Sequence, residues 1–595
     1  MKLSGTAVLA AVLLLAACGG SEDPVTTEPV EAGAQLHALF AEQFERDLEM
    51  NPMRATFIGD DRYNDRLANS NSPDYRAAEE AMDREFLQRL LEIDREQLNY
   101  QDQLSYDIFR INRELSLEGN LYPFHLQPIN QFYSTTNFFV QIGSGAGAHP
   151  FKTVKDYDDF LSRADDFAVI IDQLIVNMQE GIREGVVQPR ILMEKLQPQI
   201  DAHIVETVED SNFYAPVRNM PEDFSPEDRE RLTAAYEDKI MNTIIPSYQR
   251  ISNFIGDDYL GATRETVGLY ALPNGVSWYE FMVHLRTTTE MTPEEIHQIG
   301  LDEVARIHGE MHNVMEEVGF EGDLKDFFDY MNSDPQFFFE EREQLIQGYR
   351  DMSDHVSELS KDLFEIFPKT GFEVRAVEPF REKSASGGSY QAGTPDGTRA
   401  GIFYANAYDL SARPNWAMES LFLHEAIPGH HFQIMIQREN EDLPEFRRFG
   451  RFTAFSEGWG LYAESLGKEI GVYTDPYQYF GGLNAELWRS IRLVVDTGIH
   501  AKGWSRQQVL DYMYANSAVA EARAVSEAER FMAIPGQALA YKVGQLKIRE
   551  IRDSAEARLG DQFDVKAFHT EVLRDGAMPL SMLEAKIDRW VDTQL

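Results

Sequence analysis

Apolar residues along most of this chain recur at helical spacing. Leu36, Leu39, Phe40 and Phe44 make the first such stripe, and the stretch 86–98 makes another. Thr292-Pro293-Glu294-Glu295 supplies a complete helix start: an N-cap, a proline at the first helical position and a glutamate able to close a capping box. The face behind it is apolar at Ile296, Ile299, Val304, Ile307 and Met311. The same spacing predicts helices around 155–190, 226–255, 335–366, 441–470, 481–501, 506–517 and 538–560. Strand candidates are few. The best is 401–406, which follows a Gly/Ser/Pro-rich loop. No repeat of 20 to 50 residues is present, so a solenoid is not expected. The predicted fold is mainly α: a large helical two-lobed body around a deep cleft, with a small β-sheet next to the helix that carries the histidines described below. The loop 384–398 divides the lobes, 34–385 and 386–595.

The first residues break this pattern. Lys2, an apolar run over 7–15 and Leu15-Ala16-Ala17-Cys18-Gly19 have the length and polarity of a signal peptide, too short for a stable span. The cysteine directly after small residues resembles the bacterial lipobox. That resemblance implies a signal peptide over 1–17, a lipidated Cys18 and, with Gly19 rather than Asp after it, the outer membrane facing the periplasm of a Gram-negative cell. Residues 18–33 lack apolar periodicity and read as a flexible tether, leaving 34–595 as the folded body. Cys18 is the one cysteine, so no internal disulfide can form. A net charge of -44, with 99 acids against 55 bases, argues against a nucleic-acid partner and leaves the lipid at Cys18 as the expected link to a membrane.

The chemistry concentrates in Leu421-Phe422-Leu423-His424-Glu425-Ala426-Ile427-Pro428-Gly429-His430-His431. Histidines and a glutamate flanked by apolar residues need a metal or a hydrogen-bond network to offset their desolvation. In a His-Glu-x-x-His helix the ligands stand at i and i+4, roughly 6 Å apart along the axis. Here position i+4 is Pro428, and His430 at i+6 would sit roughly 9 Å along an ideal helix. A two-residue bulge at Pro428-Gly429 would bring His430 to the i+4 place, so His430 ranks above His431 as the second ligand. Glu457, in Ser456-Glu457-Gly458-Trp459-Gly460, is the expected third ligand, and Glu464 a candidate to orient a histidine. Histidine and carboxylate donors fit zinc, one per chain, and also accept manganese or cobalt.

Together, 287–297, 401–406, 424–431, Glu457-Gly458-Trp459-Gly460 and 535–542 resemble the bacterial family catalogued as domain of unknown function 885, across most of the mature chain. The family is similar to helical zinc peptidases with two histidine ligands and a glutamate. That resemblance implies a zinc-dependent peptidase acting on short peptides, in which zinc-bound water gives its proton to Glu425 and Glu425 passes it to the leaving amine. Tyr541 and His500 are the candidate donors to the oxyanion, His500 being four residues from Asp496 on one helix. Arg492, Arg530 and Lys542 are candidates to hold a substrate carboxylate, and 401–406, with Tyr404 and Asn406, a candidate edge strand for an extended peptide. Two other readings fit the same residues: a lipid-anchored peptide-binding protein without catalysis, and a zinc hydrolase of another amide or ester.

Overall fold

The computed structural model describes residues 29–378, 382 and 385–595. Helix predominates, and the elements that position the site are α1 (Pro29–Met50), α2 (Pro293–Glu317), β1 (Phe372–Ala376), β2 (Gly388–Gln391), β3 (Gly401–Ala405), α3 (Met418–Glu425), α4 (His430–Glu439), α5 (Thr453–Ser465), α6 (Pro476–His500), α7 (Glu521–Ala533) and α8 (Ala540–Leu559). The signal peptide and Cys18 lie outside the described residues. Helix α1 begins at Pro29, inside the stretch 18–33 that composition reads as a tether, because Ala32 and Leu36 already belong to its buried stripe. Among the described residues no helix is long and apolar enough to cross a membrane.

Helix α2 starts as its sequence predicts: Thr292 Oγ1 accepts from Glu295 N (3.3 Å) and Glu295 Oε2 accepts from Thr292 N (2.8 Å). It lies along α6, touching it so closely at Gly300 that a Cβ there would stand 2.8 Å from the side chains of Leu493 and Val494. Between Ser490 and His500 every residue of α6 is buried, and so is every residue of α5 from Ala454 to Glu464. Helices buried on all faces carry no amphipathic stripe to mark their ends, and the single helix predicted around 441–470 is instead three, Glu445–Arg448, Thr453–Ser465 and Gly467–Ile470. The chain is non-helical just before Thr453. The segment 226–255 is continuous through a π-turn at Ile240–Ile244.

One core cluster joins Leu36, Phe40 and Phe109 to Phe422, Trp459 and Ile548, with the rings of Phe40 and Phe446 centred 4.7 Å apart. The core therefore runs through the 385/386 division instead of separating at it.

The three-stranded sheet has the order β1-β3-β2, with β3 parallel to β1 and antiparallel to β2. This corrects the expectation of an edge strand at 401–406. Both sides of β3 are hydrogen-bonded, and its near-continuous apolar run reflects a central strand buried on both faces. The sheet rests on α3, with the rings of Phe403 and Phe422 centred 5.9 Å apart.

Candidate metal centre

Helix α3 ends at Glu425, and the chain then turns through Ala426, a cis Ile427–Pro428 bond and Gly429 before α4 begins at His430. The expected bulge within one helix is instead a break between two helices. The turn folds back so tightly that a Cβ on Gly429 would lie 2.0 Å from the His424 carbonyl oxygen, a position only glycine can occupy. Its result matches the expectation: the imidazoles of His424 and His430 are centred 4.7 Å apart at 78°.

The Glu457-Gly458-Trp459-Gly460 segment of α5 closes the site, each residue with its own task. Gly458 lets α5 cross α8 backbone to backbone, since a Cβ there would stand 2.5 Å from Gly544. Trp459 Nε1 donates to Pro428 O (2.8 Å) and pins the turn between the histidines. Gly460 leaves room for the His424 ring, whose Cε1 would be 2.7 Å from an added Cβ. Glu457 Oε2 then lies 3.4 Å from His430 Nε2 and 3.7 Å from His424 Nε2.

These three donors lie within 4.8 Å of one another, close enough to share one ion. The surroundings fit a cation. Burial disfavours the charged form of His424, yet Glu457 and Glu464 outweigh it and push its pKa up to about 9. Burial likewise opposes ionisation of Glu457, but the two imidazoles hold its carboxyl well below the usual range. Glu464 Oε1 is 2.7 Å from His424 Nδ1, a short ion-pair distance although the angle falls short of a regular hydrogen bond. Glu464 thus stands on the Nδ1 side of the ring, opposite the Nε2 that faces Glu457. Glu464 is itself held by Arg489 (3.1 Å) and by the Ser420 hydroxyl, and Glu457 Oε1 accepts from Arg451 (2.8 Å). Sequence reading missed Ser420, Arg451 and Arg489, whose only signal is their place in the fold. Glu425, next to His424, is partly exposed and makes no hydrogen bond or ion pair with any described residue.

His431 points away from the donors. It is buried, with Nδ1 2.8 Å from the Tyr390 hydroxyl, and burial pushes its pKa down to about 4. Tyr541, on the first turn of α8, is near the centre, its ring 6.4 Å from and nearly parallel to that of His424, with the Arg492 guanidinium 4.8 Å over the phenol ring.

Other sequence-stated candidates fall elsewhere. His500 is fully buried, with Nδ1 accepting from Leu269 N (3.1 Å) and Nε2 donating to Phe531 O (2.9 Å), and burial lowers its pKa to about 3. With both nitrogens bound to backbone it cannot serve an oxyanion. Asp496 does not orient it either, because that carboxyl accepts from Tyr279 Oη (2.6 Å) and Gly536 N (3.0 Å). Lys542 is fully buried between Glu303 (2.7 Å) and Glu486 (2.6 Å), which leaves it no capacity for a substrate. Asn406 is also buried and spends its side chain on the carbonyls of Glu382 and Ala385 and on Tyr408 N, so it ties down a loop. Tyr404 is half-buried in the central strand β3. Arg492 and Arg530 share Glu527, at 3.2 Å and 2.7 Å.

The fold and this centre belong to a class of bacterial proteins whose activity is not assigned. The chain is a member of the family described as bacterial protein of unknown function (DUF885), which matches residues 52–587. Among solved structures it is similar to a candidate lipoprotein from Colwellia psychrerythraea, with a TM-score of 0.86, 28% identity, and coverage of 94% of this chain and 99% of that one. A candidate lipoprotein of unknown function from Shewanella oneidensis shares the fold at a TM-score of 0.74 and 17% identity, with the same coverage of 94% and 99%. No curated protein matches the chain.

Proposed function

We propose that this protein is a zinc-dependent metallopeptidase of the Gram-negative cell envelope that hydrolyses short peptides and is anchored through a lipidated Cys18 to the outer membrane, facing the periplasm. The observation that carries the reading is the convergence of His424, His430 and Glu457 beside a carboxylate, Glu425, that has no hydrogen-bond or ion-pair partner among the described residues. These three side chains would hold a zinc ion, which would supply Lewis-acid chemistry at the site. Glu425 accepts a proton from the attacking water at a carboxylate oxygen and delivers it to the nitrogen of the leaving amine. The Tyr541 hydroxyl donates to the carbonyl oxygen as that oxygen gains charge, and the cation of Arg492 over its ring favours such donation. Glu464 keeps His424 in the ligating tautomer. The anchor is supported by Leu15-Ala16-Ala17-Cys18 and by the description of the Colwellia protein.

The test compares the chain lacking residues 1–18 with its Glu425→Gln variant for metal content and for cleavage of a mixed short-peptide library. One equivalent of zinc in both, with cleavage only by the unmutated form, is the expected result. Zinc without cleavage would move the reading to another amide or ester. Neither zinc nor cleavage would leave a lipid-anchored peptide-binding protein. Loss of palmitate labelling in Cys18→Ser tests the anchor separately.

A further inference from the structure

Guanidinium groups gather beside the metal centre in a chain of net charge -44. Arg492 and Arg530 share the single carboxylate of Glu527, which also accepts from Trp488 Nε1 (3.3 Å). Burial would raise the Glu527 pKa, yet Arg492, Arg530 and Arg523 bring it down to about 2, so this acid is already saturated with positive neighbours. Arg523, on α7, stands 5.2 Å over the Trp488 ring and forms no hydrogen bond or ion pair with any described residue. Arg413 likewise has no carboxylate partner among the described residues and gives its Nε and Nη1 to the carbonyls of Asn406 and Ala412. Arg523 is exposed to solvent, but desolvation by the surrounding protein lowers its pKa, and Arg489, Arg413 and Arg530 add to that against the pull of Glu527. Arg523, Trp488, Glu527, Arg492 and Arg530 thus form one connected cluster, with the Arg523 guanidinium exposed at its outer end.

The cluster connects to the metal centre through Arg492, whose guanidinium lies 4.8 Å over the Tyr541 ring, itself 6.4 Å from the His424 ring. Arg492, Arg530 and Arg523 have the one carboxylate of Glu527 among them, so the cluster carries net positive charge, and a planar guanidinium fork matches a carboxylate in two parallel hydrogen bonds. We propose that this arginine cluster binds a carboxylate of the substrate, with Arg523 as its principal partner, so that the peptides taken are those carrying a free α-carboxylate or an acidic side chain a few residues from the scissile bond. The proposal rests on the peptidase reading for the identity of the substrate, and its test does not depend on turnover.

The test measures Kd, by calorimetry on the full chain carrying Glu425→Gln, for a short neutral peptide as its free acid, for the C-terminal amide, and for the amide with one residue replaced by glutamate. At least one carboxylate-bearing peptide is expected to bind about 10-fold or more tighter than the neutral amide. Which of the two does so identifies the source of the carboxylate. Adding Arg523→Gln should bring the three Kd values together, and Arg523→Lys should restore part of the difference. Equal Kd values for all three peptides, or a preference untouched by Arg523→Gln, would overturn the assignment. A protein with carboxylate-dependent binding whose unmutated form never cleaves these peptides sinks the peptidase reading alone. Cleavage with equal Kd values sinks this one alone.

Discussion

Glu464 Oε1 lies 2.7 Å from His424 Nδ1, on the side of the imidazole opposite the nitrogen that faces Glu457. Because Glu464 is buried and also held by Arg489 and Ser420, it has little freedom to leave the histidine. Two carboxylates therefore address one ring, Glu464 on its Nδ1 side and Glu457 on the Nε2 side, where the two could share a cation. Glu464→Gln is expected to weaken metal binding roughly 10- to 100-fold while leaving the three donors in place. A chelator-competition titration reads this directly, and unchanged affinity would remove Glu464 from the centre.

The two glycines around Trp459 separate site chemistry from fold stability. Gly460→Ala places a methyl group 2.7 Å from His424 Cε1, so the expected result is loss of bound metal with helical circular dichroism retained. Gly458→Ala presses on the Gly544 backbone at 2.5 Å and should instead destabilise the α5–α8 crossing, by roughly 1–3 kcal/mol in a denaturant titration. Equal effects of the two on metal binding would show that Gly460 has no special relation to the histidine.

Tyr541→Phe should lower kcat on whichever peptide is cleaved by roughly 100-fold, with metal content unchanged. The pairing of these two readouts matters, since loss of metal would mean that the phenol supports His424 and does not act on the substrate.

Asp496 gives the fold a defined pH dependence. Burial pushes its pKa from 3.8 up to about 7 despite the hydrogen bonds from Tyr279 and Gly536. The unfolded chain ionises this group near 3.8 and the folded one near 7, so its stabilising contribution is complete below 3.8 and is lost as pH rises to 7. Relative to Asp496→Asn, the unmutated protein should lose roughly 3 kcal/mol between pH 4.5 and 7 and little beyond, at about 1.4 kcal/mol per pH unit. Urea unfolding of both proteins at several pH values gives the difference free of other titrating groups. A pH-independent difference would mean that Asp496 is ionised throughout.

Much of the centre is legible in the sequence because its signals are local. Helical periodicity and the capping box at Thr292 and Glu295 depend on neighbours a few residues away, and they place α2 and the mainly helical fold. The order His424, Glu425, Pro428, Gly429, His430 leaves a proline and a glycine where a helix cannot run straight, and this is enough to rank His430 above His431. Glu457 stands out because an acid in an apolar helix needs a positive partner.

What the tertiary structure alone decided depends on partners far along the chain. Whether 401–406 is an edge or a centre is set by which strands flank it, and residues 372–376 and 388–391 carry no mark of that pairing. His500 and Asp496 are four apart on α6, as an interacting pair would be, yet each is turned to a different distant group, Leu269 and Phe531 for one and Tyr279 and Gly536 for the other. Lys542 looks like a free cation until Glu303 and Glu486 close around it, and Arg523 looks like an isolated surface charge until Trp488, held to Glu527, is found beneath it. The sequence by itself determined most of the helices and singled out the three side chains that could hold a metal, because spacing and side-chain chemistry carry that information. Only the fold decided which charges are neutralised and which remain free, because electrostatic compensation depends on distance in space and on burial, neither of which is written in residue order.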